Sequence, residues 1–458
     1  MNPAAAGRAV NHVVAMPYPG RGHINPMMNL CHSLALRSKE TLFTVVITEE
    51  WFGFIGSQSK PDNIKFATIP NVIPYEHVRA ADMVTFIKAV QTKMEEPFEQ
   101  LLNGLEPPVK LIISDTSLQW TVLLGNRRNI PVASFWIMSA SVFSIVYHFE
   151  LLVQNNHFPV NLSERGNELV DYIPGLSALR IRDLPHVFTK KDENTNRLLD
   201  AFSLVRRAQY LLFASVYDLE SEVIDALRPI VGIPIFSVGP NIPFFQLQSN
   251  SLGATNIDSN NSYCSKWLDT KSPGSVLYIS NGSFLSVSSA QMDEIAAGLK
   301  ESGVPFLWVA QGEASHLNKL CAGVGVVVPW CDQLGVLCHS SIGGFWTHCG
   351  WNSIMENAYA GVPLITSPIM FDQIPNRKVV VEDWKIGCKV KDELANESWV
   401  TREEIVELVR RFMDPKTIER KDMLVRAKEL RHKTRQAIEN GGSSDMNLDA
   451  FIRNILQC

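Results

Sequence analysis

A histidine in a glycine-containing segment of the first half is the first residue that could perform acid–base chemistry. His23 stands in the stretch PGRGHINP, which follows an apolar run at 12–17. Gly20 and Gly22 permit unusual backbone angles, and Pro26 suits the first turn of a helix. The pattern predicts a strand, a loop and a helix that begins near Pro26, with His23 held at the junction of loop and helix.

An aspartate stands in a comparable place further along the chain. Asp115 directly follows the apolar run 109–114, and a carboxylate there lies either at the mouth of a strand end or in a costly buried position. If the two side chains meet, Asp115 would orient the His23 imidazole and stabilise its charged form, as a general base requires. Two plainer interpretations stay open: His23 could be a capping or loop histidine, and Asp115 could cap a helix that begins near Leu118.

The densest group of polar and aromatic residues lies in the second half, at 330–373. Within it, the run 342–349 predicts a strand that ends in a glycine-containing turn, and Asn352 and Ser353 open a helix. Free N–H groups at a helix N-terminus favour an anion, and His348, Asn352 and Ser353 add donors, so this segment predicts a diphosphate site.

Two further residues of this segment suit a nucleoside. Glu356 lies four residues after Asn352 on the same helix face, where a carboxylate can accept hydrogen bonds from two ribose hydroxyls. Trp330 offers a flat face to a base. The plainer interpretations are that Trp330 is a core residue and that Asn352 and Ser353 only cap the helix.

The same segment contains thiols and imidazoles, which raises the alternative of a zinc site built from Cys331, Cys338, His339, His348 and Cys349. The set lacks paired C-x-x-C spacing, and neighbouring residues on a strand point to opposite faces, so we expect no metal site. The chain also has no Asp-x-Asp triplet of the kind that bridges a diphosphate through a divalent metal. Protein donors and a helix dipole would then have to balance the charge of a bound diphosphate.

The composition narrows the class of protein. The 458 residues are 46% hydrophobic and 19% charged, with a net charge of −5, which is typical of a globular protein and disfavours a nucleic-acid partner, since that needs a basic face. Eight cysteines are too few for a disulfide scaffold. No apolar signal region opens the chain, and the uncharged stretch 130–149 predicts a buried strand and helix rather than a membrane span. We therefore expect a cytoplasmic protein.

Short apolar runs alternate with longer helical patterns in both halves. Such runs interleaved with helices predict an α/β fold of two doubly wound domains with parallel sheets, which would bind ligands in the cleft at the carboxyl ends of their strands. The boundaries we expect are a first domain at 1–240, a polar linker at 241–263 and a second domain at 264–440. The predicted strands are 12–17, 42–47, 64–69, 109–114, 132–136, 210–214, 235–238, 276–280, 306–310, 324–328, 342–349 and 364–367, and the helices with the clearest pattern are 83–102, 290–301 and 352–360.

The motifs of this chain resemble those of plant secondary-product UDP-glycosyltransferases. The segment 330–373 closely resembles the signature box of that family. The matching motifs occur in the family's order along most of the chain: the GHINP loop, the strand that ends in Asp115, a YxSxGS segment at 278–283, HCGWNS at 348–353, Glu356, GVP at 361–363 and the final pair Asp372 and Gln373.

The resemblance implies a GT-B fold, with the acceptor bound by the first domain, UDP-sugar by the second, and a last helix at about 440–458 that packs back on the first domain. His23 resembles the catalytic base and Asp115 its partner. The donor contacts that the resemblance implies are Trp330 for uracil, Gln333 and Glu356 for ribose, Ser283, His348, Asn352 and Ser353 for diphosphate, Trp351, Asp372 and Gln373 for the sugar, with Gly22 and Cys331 beside them.

The activity implied is inverting O-glycosyl transfer from UDP-glucose, as donor substrate, to a hydroxyl or carboxyl of a small plant metabolite, by a monomer without a permanently bound cofactor. Gln373 accompanies glucose more often than galactose in the family. Three places depart from its pattern: Asn281 stands where Phe is common, Cys331 and Asp332 replace Ala-Pro, and Ile137 replaces a Thr that reaches the sugar's 6-hydroxyl. The last change leaves a UDP-pentose donor open.

Two other classes of function are weighed against this one. A UDP-sugar binder without turnover is disfavoured by the presence of both His23 and Asp115, and a Rossmann oxidoreductase by the lack of a GxGxxG motif after the first strand. The acceptor cannot be identified from the sequence, and the fold alone suggests a pocket near Trp120, Ile137, Met138 and Phe143.

Overall fold

The first sheet is built from apolar runs that are buried on both faces, as parallel strands between helices are. The structure, a computed structural model, describes residues 11–79, 82–188, 191, 193–245, 259–282, 288–391 and 400–457. The sheet has seven parallel strands: β1 (Asn11–Met16), β2 (Thr41–Thr48), β3 (Ile64–Ile69), β4 (Leu111–Asp115), β5 (Val132–Trp136), β8 (Tyr210–Phe213) and β9 (Ile235–Ser237). Between β5 and β8 lies a small antiparallel pair, β6 (Leu169–Val170) and β7 (Leu179–Arg180).

The second sheet repeats the architecture. Its six strands are also parallel and largely apolar: β10 (Val276–Ser280), β11 (Phe306–Val309), β12 (Gly325–Val328), β13 (Ile342–Thr347), β14 (Leu364–Thr366) and β15 (Gly387–Lys389). The spatial orders are β3-β2-β1-β4-β5-β8-β9 and β12-β11-β10-β13-β14-β15. Both are doubly wound, and the predicted α/β fold with two parallel-sheet domains is confirmed.

Helices cover both faces of the two sheets. In the first half they are α1 (Arg21–Arg37), α2 (Glu49–Ile55), α3 (Glu76–Arg79), α4 (Met83–Lys93), α5 (Glu95–Asn103), α6 (Gln119–Arg127), α7 (Ala140–Tyr147), α8 (Phe149–Gln154), α9 (Leu162–Arg165), α10 (Glu193–Ser203) and α11 (Tyr217–Val231). In the second half they are α12 (Ser259–Asp269), α13 (Ser289–Ser302), α14 (Ala314–Leu320), α15 (Gln333–Leu337), α16 (Trp351–Ala360), α17 (Gln373–Lys378), α18 (Arg402–Met413), α19 (Ile418–Ile438) and α20 (Ser443–Gln457).

The last helix packs on the first domain. Leu448, Phe451 and Ile455 of α20 are buried in the same hydrophobic core as Val13 of β1 and Leu34 of α1. The chain therefore crosses back from the second domain to the first at its end.

The predicted strands are confirmed to within two residues at each end, while β15 and the small pair β6 and β7 were not predicted. The strand predicted over 342–349 ends at Thr347, because Cys349 adopts a positive φ of 67°. The helix predicted over 83–102 is two helices that meet at Met94.

The start of α1 differs from the prediction in a way that affects the site. The helix begins at Arg21, not near Pro26, with Gly20 as an extended N-cap. Pro26 lies inside the helix, where its missing N–H removes one hydrogen bond, the one to the Gly22 carbonyl. His23 therefore belongs to the first turn of the helix rather than to the preceding loop.

The uncharged stretch 130–149 forms β5 and α7, as predicted. Across the residues described, no helix combines the length and apolar character needed to span a bilayer. Of the predicted linker at 241–263, residues 246–258 lie outside the described residues, and α12 begins inside its range at Ser259. The domain boundaries themselves stay a prediction.

Buried polar contacts join the two domains. Trp351 Nε1 donates to the Ala214 carbonyl at 3.1 Å. Arg377 of α17 and Asp183 of the first domain form an ion pair at 3.0 Å, with side chains that are almost completely buried. Removing one partner of a buried pair leaves an uncompensated charge, which costs far more than the pair itself contributes.

We expect Asp183→Ala to lower the free energy of unfolding by about 3–5 kcal/mol, because Arg377 would remain buried without its partner. Thermal unfolding followed by circular dichroism measures the effect. The matched control is Glu95→Ala, which breaks an exposed pair with Arg127 and should leave the unfolding midpoint nearly unchanged. Equal, small shifts in both variants would contradict the importance assigned to the domain contact.

Candidate active site

The histidine and the aspartate predicted to act together do meet. Strand β1 lies beside β4, with Met16 paired to Ser114, so the segments that follow both strands lie at one edge of the sheet. His23 Nδ1 and Asp115 Oδ2 are 2.7 Å apart. The Asp115 side chain is 1% exposed and that of His23 is 27% exposed, so the carboxylate is covered while the imidazole still reaches the cleft.

Asp115 meets His23 but does not cap α6, since the N-cap of that helix is Leu118 and no side chain caps it. Its Oδ1 accepts a hydrogen bond from the Ser117 N–H at 2.9 Å, which orders the turn before α6, while Oδ2 holds His23. An ionised carboxylate accepts only, so His23 Nδ1 must carry the proton of the shared bond. Nε2 is then the ring nitrogen with a lone pair for a substrate proton.

An aromatic residue that sequence reasoning missed fixes the other side of the imidazole. The Tyr18 ring lies 4.9 Å from the His23 ring, centroid to centroid, and packs edge-on against Phe86. Burial raises the pKa of the Tyr18 hydroxyl, and the nearby Asp115 carboxylate raises it further. Tyr18 is therefore a neutral wall for His23, and its place directly after β1 is the signal that could have identified it.

The carbonyl that Pro26 leaves free is used by the other domain. Asn352 Nδ2 donates to the Gly22 carbonyl at 2.6 Å. Asn352 stands in the first turn of α16, which has no side-chain cap at Gly350. The predicted diphosphate donors and the turn that carries His23 are thus in direct contact across the cleft.

A hydrogen-bonded group connects the residues predicted to hold ribose. Gln333 Nε2 donates to Glu356 Oε2 at 2.5 Å and to Ser353 Oγ at 2.9 Å, while its Oε1 accepts from the Tyr278 hydroxyl at 3.1 Å. Burial raises the pKa of Glu356 to about 7, although the hydrogen bond from Gln333 lowers it. Glu356 is therefore only partly ionised near neutral pH.

The His348 ring lies so close to Gly282 and Gly350 that neither position has room for a Cβ. A Cβ on Gly350 would lie 2.5 Å from His348 Nε2, and one on Gly282, which has a φ of +86°, would lie 2.8 Å from the same atom. Ser280 pairs with Thr347 across β10 and β13, which brings these segments together. Burial lowers the pKa of His348 to about 4, so the ring is neutral at physiological pH.

The predicted base-stacking residue lies at the rim of the cleft. Trp330 follows β12 and is 38% exposed, and the Arg21 guanidinium of the first domain lies 4.7 Å from its ring centroid. The neighbouring Cys331 is buried, with its thiol 3.5 Å from the Tyr278 hydroxyl. Burial raises the pKa of that thiol to about 12, so the thiol is neutral, and the predicted place of Cys331 beside the donor stays a prediction.

The residues predicted to contact the sugar surround the start of α17. Gln373 Oε1 accepts from the backbone N–H groups of Ile369 and Met370, which leaves its NH₂ group as the end suited to donate to a ligand. Burial raises the pKa of Asp372 to about 7, and His23, the Trp351 N–H and the Asn376 amide oppose that rise. Ser283, the remaining diphosphate prediction, lies outside the described residues.

Comparisons with known proteins identify the family of this chain. The family described as "UDP-glucoronosyl and UDP-glucosyl transferase" matches residues 249–421. UDP-glycosyltransferase 87A2 of Arabidopsis thaliana is 49% identical over 447 residues, covering 97% of this chain and 96% of the relative. UDP-glycosyltransferase 87A1 of the same plant is 50% identical over 442 residues, covering 96% and 99%.

Solved structures show the same fold. The structure of Medicago truncatula UGT71G1 complexed with UDP-glucose matches with a TM-score of 0.82 and 26% identity, covering 97% of this chain and 98% of that one. That of Os79 from O. sativa, with U2F and trichothecene, matches with a TM-score of 0.81 and 27% identity, covering 97% and 100%.

This chain belongs to the plant UDP-glycosyltransferase family. The predicted GT-B fold and the prediction of a glycosyltransferase that uses a UDP-sugar donor are confirmed. The individual residue assignments within the site stay predictions.

Within the described part of this UDP-glycosyltransferase, no group of three or more His, Cys, Asp or Glu side chains is placed to hold a metal ion. Of the thiols in the zinc alternative, Cys331 and Cys349 are buried in a hydrophobic core of the second domain and Cys338 packs against it. Each described cysteine is a free thiol.

Most of the side chains predicted around the acceptor are packed in cores of the first domain. Trp120 is buried, and its Nε1 donates to the Val90 carbonyl at 3.2 Å. Phe143 lies in an aromatic cluster with Trp136 and Phe213. Ile137 is buried as well, while Met138 is half-buried. The acceptor pocket of this glycosyltransferase stays a prediction, with Met138 the most accessible of its four residues.

From the pKa of Glu356 we predict that the affinity of the protein for UDP depends on pH. We expect the Kd of this glycosyltransferase for UDP to rise about tenfold from pH 8 to pH 6, because protonation of a carboxyl with a pKa of about 7 removes an acceptor for ribose hydroxyls. Isothermal titration with UDP measures this. The control is Glu356→Gln, which should bind UDP more weakly with a much flatter pH dependence. A wild-type curve as flat as that of the variant would contradict the role of Glu356.

Proposed function

We propose that this protein transfers glucose from UDP-glucose to a hydroxyl or carboxyl of a small plant metabolite, with inversion at the anomeric carbon. The observation that carries the proposal is the 2.7 Å hydrogen bond between His23 and Asp115, placed across the cleft from the predicted donor contacts. Asn352 and Trp351 touch the first domain directly. A base and a bound donor therefore face one another over a short distance.

The reaction follows from these positions. An alcohol or phenol is a weak nucleophile at neutral pH, since the pKa of a phenol is about 10. His23 Nε2 takes the acceptor proton as the acceptor oxygen forms its bond to the anomeric carbon, and the bond from that carbon to the UDP oxygen breaks. Asp115 stabilises the imidazolium that results. Attack from the face opposite UDP converts an α-linked donor into a β-glycoside.

The donor is held by neutral groups and a helix terminus. The first turn of α16 has no side-chain cap, and we propose that the N–H groups and side chains of Asn352 and Ser353 donate to the diphosphate, while the Trp351 N–H is used by Asp372. His348 is neutral, so it brings no charge to the diphosphate. We propose that this set acts without a metal, and that Asp372 and Gln373 bind the sugar hydroxyls.

His23→Ala should reduce kcat/KM by about 10²–10⁴-fold while the Kd for UDP changes little, because only the base is removed. Product formation is followed by mass spectrometry across an acceptor panel. The matched control is His32→Asn on the same helix, where the ring stacks on Phe245 away from Asp115, and its activity should match wild type. Full activity of the His23 variant would rule out the base. The absence of turnover in wild type with every acceptor would favour a UDP-sugar binder.

A separate prediction concerns Ile137 and the choice of donor sugar. Its side chain is apolar and cannot donate to a 6-hydroxyl, so we expect Ile137→Thr to raise the ratio of kcat/KM for UDP-glucose over UDP-xylose severalfold, by adding one hydrogen bond worth about 1 kcal/mol. Competing both donors and weighing the product distinguishes a hexose from a pentose increment. A wild-type enzyme that uses only UDP-xylose would overturn the choice of glucose, and an unchanged ratio in the variant would remove Ile137 from the sugar site.

A further inference from the structure

A short helix of the second domain is attached to the first domain by its side chains. Helix α17 begins directly after Asp372, and three consecutive residues at its end contact the first domain: Asn376 bonds Ser139, Arg377 pairs with Asp183, and Lys378 bonds Ser177. The helix that follows the sugar-binding residue of the proposed mechanism is thus held by the acceptor domain.

Asn376 is the central residue of this attachment. It is completely buried, and its Oδ1 accepts from Ser139 Oγ at 3.1 Å. Its Nδ2 donates to Asp372 Oδ2 at 2.9 Å and to the Cys349 carbonyl at 3.1 Å. A carboxamide has two N–H donors and one acceptor oxygen, so both donors are used within the second domain while the acceptor faces the first.

The partner in the first domain is itself rigidly placed. Ser139 is the N-cap of α7 and also accepts from the Val142 N–H. The next two N–H groups, of Ala140 and Ser141, donate to the buried Glu220 carboxylate at 2.8 and 2.9 Å. The position of Ser139 is therefore fixed together with that of the loop that carries Ile137 and Met138.

We propose that Asn376 is a positioning residue, which aims the Asp372 carboxylate at the donor sugar only while Ser139 of the acceptor domain is docked against it. The proposal rests on the assignment of Asp372 to the sugar made above. The docking of the two domains and the orientation of Asp372 toward the sugar then occur together. Asn376 itself touches neither substrate, because each polar atom of its side chain is bonded to protein.

The protonation of Asp372 can be followed in the pH dependence of the reaction. A purely structural role of Asn376 would leave that pH dependence unchanged. Asp372 is surrounded by His23 from α1, the Trp351 N–H from α16, the Cys349 thiol before that helix and Asn376 from its own helix. The positively charged Arg377 also lies close to Cys349. Burial raises the pKa of Asp372 to about 7, and the hydrogen bond from Asn376 lowers it. Loss of that bond must therefore raise the pKa, leaving more of Asp372 protonated at pH 7.

The test is Asn376→Leu, which preserves the size of the side chain and removes the three hydrogen bonds. We expect KM for UDP-glucose to rise at least tenfold, the Kd for UDP to stay within about twofold, and the acidic limb of kcat/KM to move to higher pH. The matched control is Asn357→Leu, another buried asparagine, whose Nδ2 donates to Val362 within the second domain. It should lower stability but leave the UDP-glucose KM and the pH profile unchanged.

A second pair of variants keeps the proposal testable if Asn376→Leu does not fold. Ser139→Ala should raise the UDP-glucose KM in the same direction with less effect, and Ser139→Thr, which retains the hydroxyl, should restore it. Wild-type KM and pH profile in folded Asn376→Leu, or in Ser139→Ala where the first variant does not fold, would overturn the proposal.

A parallel variant separates this proposal from the sugar assignment. Asp372→Asn should raise the UDP-glucose KM at least as much as Asn376→Leu. If it does so while the Asn376 variant behaves as wild type, only the positioning role fails. If Asp372→Asn keeps the wild-type KM, the assignment of Asp372 to the sugar fails and the positioning role falls with it.

Discussion

Two parallel sheets can share one reaction only if the carboxyl ends of their strands are held face to face, and hydrogen bonds between the domains support that arrangement here. Trp351 Nε1 donates to the Ala214 carbonyl and Asn352 Nδ2 to the Gly22 carbonyl. Pro26 has no N–H to offer Gly22 within the helix, which leaves the Gly22 carbonyl available for the second bond. Both donors stand in the first turn of the helix that would hold the diphosphate. The predicted donor site and the domain interface therefore share the first turn of α16.

Burial reduces the charge of three titratable side chains at the predicted donor site. Burial lowers the pKa of His348 to about 4 and raises those of Glu356 and Asp372 to about 7. The histidine is neutral, and the two acids carry only part of their negative charge near neutral pH, so they repel a diphosphate less than ionised carboxylates would. Hydroxyl groups of a bound nucleoside sugar would stabilise the ionised forms, since hydrogen bonds to a carboxylate favour its charged state. Ligand binding and ionisation of these acids are thus linked.

Residues that follow strands were predictable, whereas contacts between the domains were not. His23 and Asp115 are 92 positions apart, yet each follows an apolar run, and parallel strands bring their carboxyl ends to a common edge. The strand order that makes β1 and β4 neighbours needed the structure. Asn376 gives no comparable signal, because its partner Ser139 lies 237 positions earlier and in another domain. The sequence pattern of a short helix does not distinguish a polar residue that faces solvent from one that forms hydrogen bonds across a domain interface. The motif at 330–373 allowed the donor-site residues to be predicted from the sequence. The contacts between the domains that align these residues became visible only in the packing of the structure.

The first turn of α1 connects the two ends of the site. Arg21 and His23 are two residues apart, and the Arg21 guanidinium lies 4.7 Å from the Trp330 ring and 5.7 Å from the Trp51 ring. A cation over an indole contributes about 0.5–2 kcal/mol, more as water is excluded. A base that stacks on Trp330 would exclude water from that contact and so act on the turn that also carries His23. Backbone hydrogen bonds from the His23 and Ile24 N–H groups to the Gly20 carbonyl, both 2.9 Å, hold this turn, and the Arg21 contact connects it to Trp330. If Trp330 stacks on the base as the family resemblance implies, base binding and the orientation of the imidazole would be coupled through this one helical turn.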